Sequence, residues 1–595
     1  MLNVKKLLHA HLLDLLAVVV LVVFTFISVL LIHHESATTD EQAHIPAAYS
    51  YVMLDNFTLN PEHPPLAKLI SGIGFIGSHF NFPTKVLNNN NKLGDRQWQV
   101  GAAFLYHSGN NTDSILLRSR LPILAASVIG LFACYLLFAA VSTKKIALYA
   151  LTFMALSPTV IAHGHLVTTD ILVMTTMAIA MLCFIRLLKE QSWAFIIIAG
   201  ITLAIAELSK FSTVLLFIFY PLAAVLFYYA KKPSLKAAGA VKLMLRVVIP
   251  TFSIALAFMY AVYALQVIHL SHTAQNNWIV QATGDPVHHL GTRILLDINK
   301  VPPLAPVVRY IVGFSSSLGR VAVGHGANLL GKDYATSTPL YFPVVSTLKT
   351  PSPLLALWVV MAVYLGGRLK IYSKKRTNLL GVLLSYTKAN PVPTLGALIT
   401  LVYFVVACIG HLDIGVRHLL PVFPWVAFLS ALWIVTILEK FTYKTLRIGI
   451  VLSSSILTLF VFIALIVYPN YIPYTTEVAG GAPQAYRYYN DSNVDWGQSI
   501  KYLAAYVQTH PDELPLYTDQ SYADAKNYYT CGNANLCPKL YILGDTQQPP
   551  KGSYFAVSET HLTIDWARSP DNLAFLKKQT PLVKIGDSIY VYHIR

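Results

Sequence analysis

The amino-acid sequence predicts an α-helical polytopic membrane protein of about eleven spans, with a small extracytoplasmic α/β domain at its C-terminal end. Three observations carry this expectation. Of 595 residues, 55% are hydrophobic and only 12% charged, a balance that points to a lipid environment. The apolar residues come in runs long enough to cross about 30 Å of hydrocarbon. After Pro469 the long runs stop, and polar helix signals alternate with short β-like stretches.

Spans are expected near 12–33, 117–140, 146–163, 170–188, 193–209, 211–230, 246–268, 352–368, 393–410, 418–438 and 446–468. This sets a membrane domain over 1–468, with large loops at 34–116 and 269–350, and a second domain over 469–595. Basic residues choose the orientation. Lys5 and Lys6, Lys144 and Lys145, Arg186 and Lys189, the set Lys231 to Lys242, the set Arg368 to Arg376, and Lys440 to Arg447 fall in alternate loops. The positive-inside bias makes those loops cytoplasmic and places both large loops and the C-terminal domain outside. The first apolar run is too long for a cleaved signal peptide and has no small-residue cleavage site, so it reads as a signal-anchor with a cytoplasmic N-terminus. A cell (inner or plasma) membrane is the expected location. The net charge of +16 then reports topology and contact with anionic lipid, and nucleic acid is excluded as a partner.

The loop 34–116 carries apolar blocks at Leu66 to Ile70 and Ile73 to Ile76, which suggests amphipathic helices along the interface. In the loop 269–350, Ile311 to Leu330 is apolar but rich in Gly and Ser. A full crossing there would invert every later basic loop, so a re-entrant or interfacial segment is expected. In the C-terminal domain a helix is expected over Ser499 to Gln508 and strands at Leu514–Thr518, Tyr554–Val557 and Ile589–His593. Cys134, Cys183 and Cys408 sit in spans as small core residues, whereas Cys531 and Cys537 are placed to form a disulfide outside. No repeat and no phosphate-cradling glycine motif is present, so ATP-driven transport has no support.

Polar groups gather where spans meet the outer face. Asp40 and Glu41 follow the first span with His44 one turn on, and Glu62 and His63 precede the rigid Pro64-Pro65 turn. His163, His165, Thr168, Thr169 and Asp170 lie between the third and fourth spans. Lys210 separates the fifth and sixth, and His411, Asp413, Arg417 and His418 precede the tenth. Each has a bland alternative: Asp40 and Glu41 as a helix-start pair, Lys210 as a snorkelling lysine, Asp491 to Gln498 as a capped helix starting near Asp495. Taken together, carboxylates and cations at the mouths of spans suit a lipid-linked phosphate. Its tail stays in the bilayer, Lys and Arg hold the phosphate, and a carboxylate deprotonates an incoming hydroxyl.

Several segments, in order along nearly the whole chain, resemble the protein O-mannosyltransferase family and its bacterial relatives, the aminoarabinose transferases among them. These are Thr39-Asp40-Glu41, His63-Pro64-Pro65-Leu66-Ala67-Lys68, Arg118-Ser119-Arg120-Leu121-Pro122, Val167-Thr168-Thr169-Asp170, Lys210, Ile414 to Pro421, and Asp491 to Gln498. The resemblance implies a GT-C fold and an inverting glycosyltransferase that moves a sugar from an undecaprenyl- or dolichyl-phosphate carrier to a hydroxyl on the outer face. It implies Asp40 as general base, with Glu41 positioning it or lining the acceptor site. Lys210 and Arg417, with His63, would hold the donor phosphate, while Asp170, Glu62 and His44 would orient the sugar or a cation. Glu62 and His63 are also where a divalent metal ion would bind. The aminoarabinose transferases carry Lys where this chain has His63, and no β-trefoil insertion is recognisable.

The acceptor is a protein Ser or Thr, a lipid or a glycan, and the sequence does not choose among them. Two other classes compete: a transporter or flippase of a lipid-linked anionic glycan, using the same cations without catalysis, and a membrane scaffold whose tail recruits partners, which leaves the histidine and carboxylate cluster without a reason. A transporter would show paired broken helices in repeated halves, and none is evident.

Overall fold

The computed structural model describes residues 2–595 apart from 89–92, 232–236, 375–378, 443–446, 533–539, 545–546, 569–572, 574 and 577–578. The expected Cys531–Cys537 bridge lies outside the described residues, because Cys537 does. Cys134, Cys183 and Cys408 are free thiols, and the first two are buried.

The chain begins with α1 (Leu2–His34), whose segment His11–His34 is the first apolar span. It turns into α2 (Thr39–Met53) through a capping box, in which Thr38 and Glu41 satisfy each other's backbone N–H groups. The prolines at 61, 64 and 65 keep the next stretch out of helix until α3 (Leu66–Ile73), which packs back against α2 and against α4 (Thr112–Val141). Further along come α5 (Asp170–Glu190) and α6 (Trp193–Ser209), packed on each other.

Among the described residues, eight helices are long and apolar enough to cross a membrane, and Trp193–Ser209 and Ser352–Gly367 are shorter apolar helices. Ten of the expected spans correspond to these. The other, 146–163, is not continuous: it forms Lys144–Ala155 and Pro158–His163, broken at Ser157. Pro158 lacks an N–H and forces the residue before it out of the helical region, and Ser157 accordingly has ψ 130.

The second large loop folds as helices. α7 (His272–Thr283) and a helix over Leu290–Asn299 lead to α8 (Ala305–Val323), which buries Val308, Arg309 and Val312 and exposes Ile311, Leu318 and Val323. α8 is amphipathic and is not among the helices long and apolar enough to cross a membrane. A hairpin follows, β1 (Ala327–Leu329) antiparallel to β2 (Lys332–Tyr334). Next come the spans, with α9 (Pro391–Ile409) among them.

The C-terminal domain is a five-stranded sheet in the order β4-β3-β5-β7-β6. β3 (Leu516–Asp519) runs parallel to β4 (Leu540–Leu543) and β5 (Tyr554–Ser558), and β7 (Ile589–His593) is antiparallel to β5 and to β6 (Val583–Ile585). The expected helix is α10 (Ile500–Thr509), and all three expected strands are present. β4 and β6, of four and three residues, were not among the expected strands.

The packing of α3 on α4 leaves no room at Gly74, where an ideal Cβ would sit 1.8 Å from the Arg118 carbonyl oxygen. Gly74→Val is expected to cost about 1–3 kcal/mol, read as a lower thermal unfolding midpoint of the detergent-solubilised protein. Gly94→Val, where no atom lies within 4 Å of a Cβ, is the control and leaves the midpoint unchanged.

Candidate active site

Where α2, α5, α8, α9 and the turn after α9 converge, they enclose a cavity of 410 Å³. Asp40, His44, Glu62, His63, Asp170, Lys210, Arg417 and His418 all line it. Phe211, Leu215, Phe314, Leu318, Tyr403 and Val406 supply an apolar wall.

The charged groups alternate in sign. Asp40 Oδ2 accepts from Arg417 Nη1 at 2.5 Å, the same nitrogen lies 3.6 Å from Asp170 Oδ2, and Asp170 Oδ1 accepts from Lys210 Nζ at 2.6 Å. Arg417 and Asp170 are nearly sealed, with side-chain exposures of 6% and 2%, whereas Asp40 is 27% exposed and is the carboxylate that an incoming molecule can reach. The ring of Trp496 lies 4.0 Å from the Arg417 guanidinium and closes its far face.

Glu41 does not reach this cavity. It is fully buried, accepts from Arg120 Nε at 2.8 Å and Nη2 at 2.7 Å, and takes the N–H groups of Thr38 and Val167 at 2.9 and 3.0 Å. Burial pushes its pKa up, but the Arg120 charge and these hydrogen bonds outweigh it and bring it down to about 2. The geometry corrects the expectation that Glu41 lines an acceptor site: its lone pairs are spent on fixing the start of α2 against α4.

Glu62 accepts from Arg320 Nε at 2.7 Å, from Gln97 at 3.0 Å and from Asn60 at 3.4 Å. His63 faces His44 with ring centroids 4.9 Å apart. Burial holds both imidazoles well below the usual histidine range, His44 at about 4. Among the described residues no group of three or more His, Cys, Asp or Glu side chains is arranged to hold a metal ion. With Glu62 already engaged by a guanidinium and two amides, the residues present do not fit the divalent ion considered for Glu62 and His63.

The other expected groups flank the cavity. His165 Nε2 pairs with Glu35 at 2.9 Å, the His163 ring lies 5.6 Å from Trp496, and Asp413 accepts from the Thr338 N–H at 2.7 Å. Asp491 to Gln498 is neither a loose linker nor a helix capped by Asp495. The helix starts at Ile500, and Asp495 instead accepts from the Gly497 N–H at 3.1 Å.

This segment is wedged into the membrane body. Thr39 N–H donates to the Trp496 carbonyl at 2.9 Å, Ser36 N–H to Gln498 at 3.0 Å, and Val416 N–H to the Asn493 side chain at 3.0 Å. Ser492 Oγ donates to the Ile414 carbonyl. Gly415, with φ 157, leaves the space for this approach, since a Cβ there would lie 2.4 Å from Ser492 Oγ. The wedge therefore holds the residues next to Asp40 and next to Arg417 at once.

Sequence reasoning assigned no role to Arg120, Arg320, Lys68 or Trp496. Arg120 had a signal: a guanidinium inside a 30-residue apolar helix requires a buried acid. Arg320 had none, because it reaches Glu62 only through the fold of α8.

The model of the family described as dolichyl-phosphate-mannose-protein mannosyltransferase matches residues 103–266. No curated protein matches the chain. Solved structures similar to it include ArnT from Cupriavidus metallidurans bound to undecaprenyl phosphate, at 11% identity and a TM-score of 0.42, covering 97% of each chain. The apo oligosaccharyltransferase of Archaeoglobus fulgidus matches at 15% identity and a TM-score of 0.44, covering 95% of this chain and 72% of that one. The same organism's AglB, in complex with an inhibitory peptide and a dolichol-phosphate, matches at 13% identity and a TM-score of 0.44, with the same coverage. The family match falls on residues 103–266 and agrees there with the resemblance carried by the sequence motifs, and eight helices among the described residues are long and apolar enough to cross a membrane.

Two expectations follow. Glu41→Gln leaves Arg120 buried without its counter-charge and is expected to cost about 3–5 kcal/mol, read by thermal or denaturant unfolding. The folded pKa of Glu41, about 2, lies below its ordinary 4.5. Its contribution is therefore complete above pH 4.5 and lost as pH falls toward 2, so the stability gap between wild type and Glu41→Gln narrows across that window.

Proposed function

We propose that the protein transfers a sugar from a polyprenyl-phosphate carrier to a hydroxyl acceptor on the extracytoplasmic side of the membrane, with inversion at the anomeric carbon. The observation that carries this is the Asp40–Arg417–Asp170–Lys210 alternation at the end of a cavity with an apolar wall. The carrier tail lies against Phe211, Leu215, Phe314 and Tyr403, and its phosphate meets Arg417, Lys210 and Arg320. The N-terminus is cytoplasmic, and the cavity and C-terminal domain face outward.

In the transfer, the acceptor oxygen forms a bond to the anomeric carbon as that carbon's bond to the phosphate oxygen breaks. Asp40 takes the acceptor proton, and the departing phosphate keeps the bonding electrons. Because a phosphate monoester is a good leaving group when its charge is matched, cations suffice on that side and no acid is required. Arg417 is shared. A bound phosphate draws the guanidinium from Asp40 toward itself and leaves the carboxylate free to accept a proton, so donor binding prepares the base. Asp170 keeps Arg417 and Lys210 aimed at the phosphate, and burial disfavours the charged forms of His44 and His63 before the donor binds.

The test is consumption of radiolabelled undecaprenyl-phosphate sugars by purified protein in liposomes. Asp40→Asn is expected to lower kcat by about 10²–10⁴-fold. Arg320→Ala is expected to raise the KM for donor more than it lowers kcat, since Arg320 is half-exposed at the mouth of the cavity. Full turnover by Asp40→Asn would remove Asp40 as the base, and transport of an intact donor would replace the enzyme with a carrier.

Trp496 gives a further expectation. Trp496→Phe keeps a ring over Arg417 and most of the activity, whereas Trp496→Ala loses about 10-fold or more, corresponding to the roughly 1–2 kcal/mol of a buried cation–π contact.

A further inference from the structure

Behind His63, and sharing it with the catalytic cavity, lies a second cavity of 10 Å³. Its walls are Tyr51, Phe57, Tyr263, Trp278, Gln266 and Arg309. It joins the first outer loop to α7 and α8 of the second.

Arg309 is only 3% exposed. Its guanidinium stacks on Trp278 at 4.3 Å and Nη2 donates to the Phe57 carbonyl, yet Nη1 is buried and has no hydrogen-bond partner. Gln266, 6% exposed, likewise has a buried Nε2 without a partner. Two orphaned donors thus line one small space.

Charge points the same way. Lys68, fully buried beside this cavity's first-loop wall, gives its protons to the Asn60 carbonyl at 2.6 Å, the Asn60 side chain at 3.1 Å and the His63 carbonyl at 2.7 Å, all neutral acceptors. Among the described residues neither Arg309 nor Lys68 has a carboxylate within 4.0 Å. Glu62, in the same loop, is paired with Arg320 at 2.7 Å. Lys68 has the field of Glu62 to offset its charge, whereas Arg309 has no acid beside it among the described residues; a sealed guanidinium in that position is costly, and an aromatic face offsets only part of the cost.

We propose that this cavity is a binding site for a single monovalent anion of halide size, held by Arg309 Nη1 and Gln266 Nε2. The volume is that of one small occupant, which favours a single-atom anion over a sulfate or phosphate. A halide accepts from both donors and neutralises the guanidinium, which a water does not. By bridging Gln266, at the end of the helix Ile249–Leu265, to Arg309 of α8, it ties that span to the second outer loop behind the Phe57 to His63 segment.

The full-length protein, exchanged into sodium gluconate at constant ionic strength and titrated with chloride, bromide or sulfate, gives the test by thermal unfolding. Chloride and bromide are expected to raise the wild-type midpoint saturably, by about 2 °C or more, and sulfate to leave it unmoved. Gln266→Met, the milder change, should weaken the halide response and Arg309→Gln should abolish it. In crystals grown with bromide, an anomalous peak should lie within hydrogen-bond reach of both side chains. A wild-type midpoint identical in chloride and gluconate would overturn the proposal, as would density in the cavity without bromide signal, which would make the occupant a water. Neither outcome depends on the variants folding or on the glycosyltransferase reading.

Discussion

Charge inside a low-dielectric body has to be neutralised where it stands, and the outer end of this helical body does so by alternation. Asp40, Arg417, Asp170 and Lys210 form one continuous series in which each cation contacts an acid. The rest of the structure depends on that series because its members come from four separate elements. Asp40 opens α2, Asp170 opens α5, Lys210 ends α6 and Arg417 sits in the short helix after α9. Bringing them within contact distance fixes how those helix ends meet, and the space left among them is the cavity.

Two further arrangements keep the series in place. The Glu41–Arg120 pair anchors the first turn of α2 in α4, so Asp40 is presented from a rigid start. The 491–498 wedge reaches from the C-terminal domain to the backbone of residues 36, 39 and 416, and sets Trp496 against Arg417. The C-terminal domain is therefore part of the site's construction. Neighbouring acids have opposite duties here. Asp40 keeps a partly open face, while Glu41, one position along the helix, points into the protein with every oxygen lone pair engaged.

Much of this was legible in the sequence. Apolar length alone located ten of the spans, and it failed at 146–163 because it ignores what Ser157-Pro158 does to the backbone. The membrane economy of charge pointed to Asp40, Glu41, His63, Asp170, Lys210 and Arg417 at the span ends, since unpaired charges near lipid demand partners, and four of these six form the contact series while Glu41 turns away from it. What it could not give was who pairs with whom. Arg417 and Asp40 are 377 positions apart, and the one local signal that separates the half-open Asp40 from the buried Glu41 is the capping-box spacing of Thr38 and Glu41. The bland alternative for the wedge, a helix capped near Asp495, rests on residue type alone, and it fails because Gly497, at φ 91, turns the chain before the helix begins at Ile500.

The sharing of Arg417 between Asp40 and the donor phosphate is the central claim, and equilibrium binding tests it most directly. Undecaprenyl phosphate would be titrated into purified wild-type and Asp40→Asn protein in the same detergent. Removing the competing carboxylate should leave the Kd unchanged or tighter in the variant, even as turnover is lost. A Kd that weakens in parallel with turnover would contradict the claim, because Asp40 would then be serving to build the donor site, with no competition for Arg417.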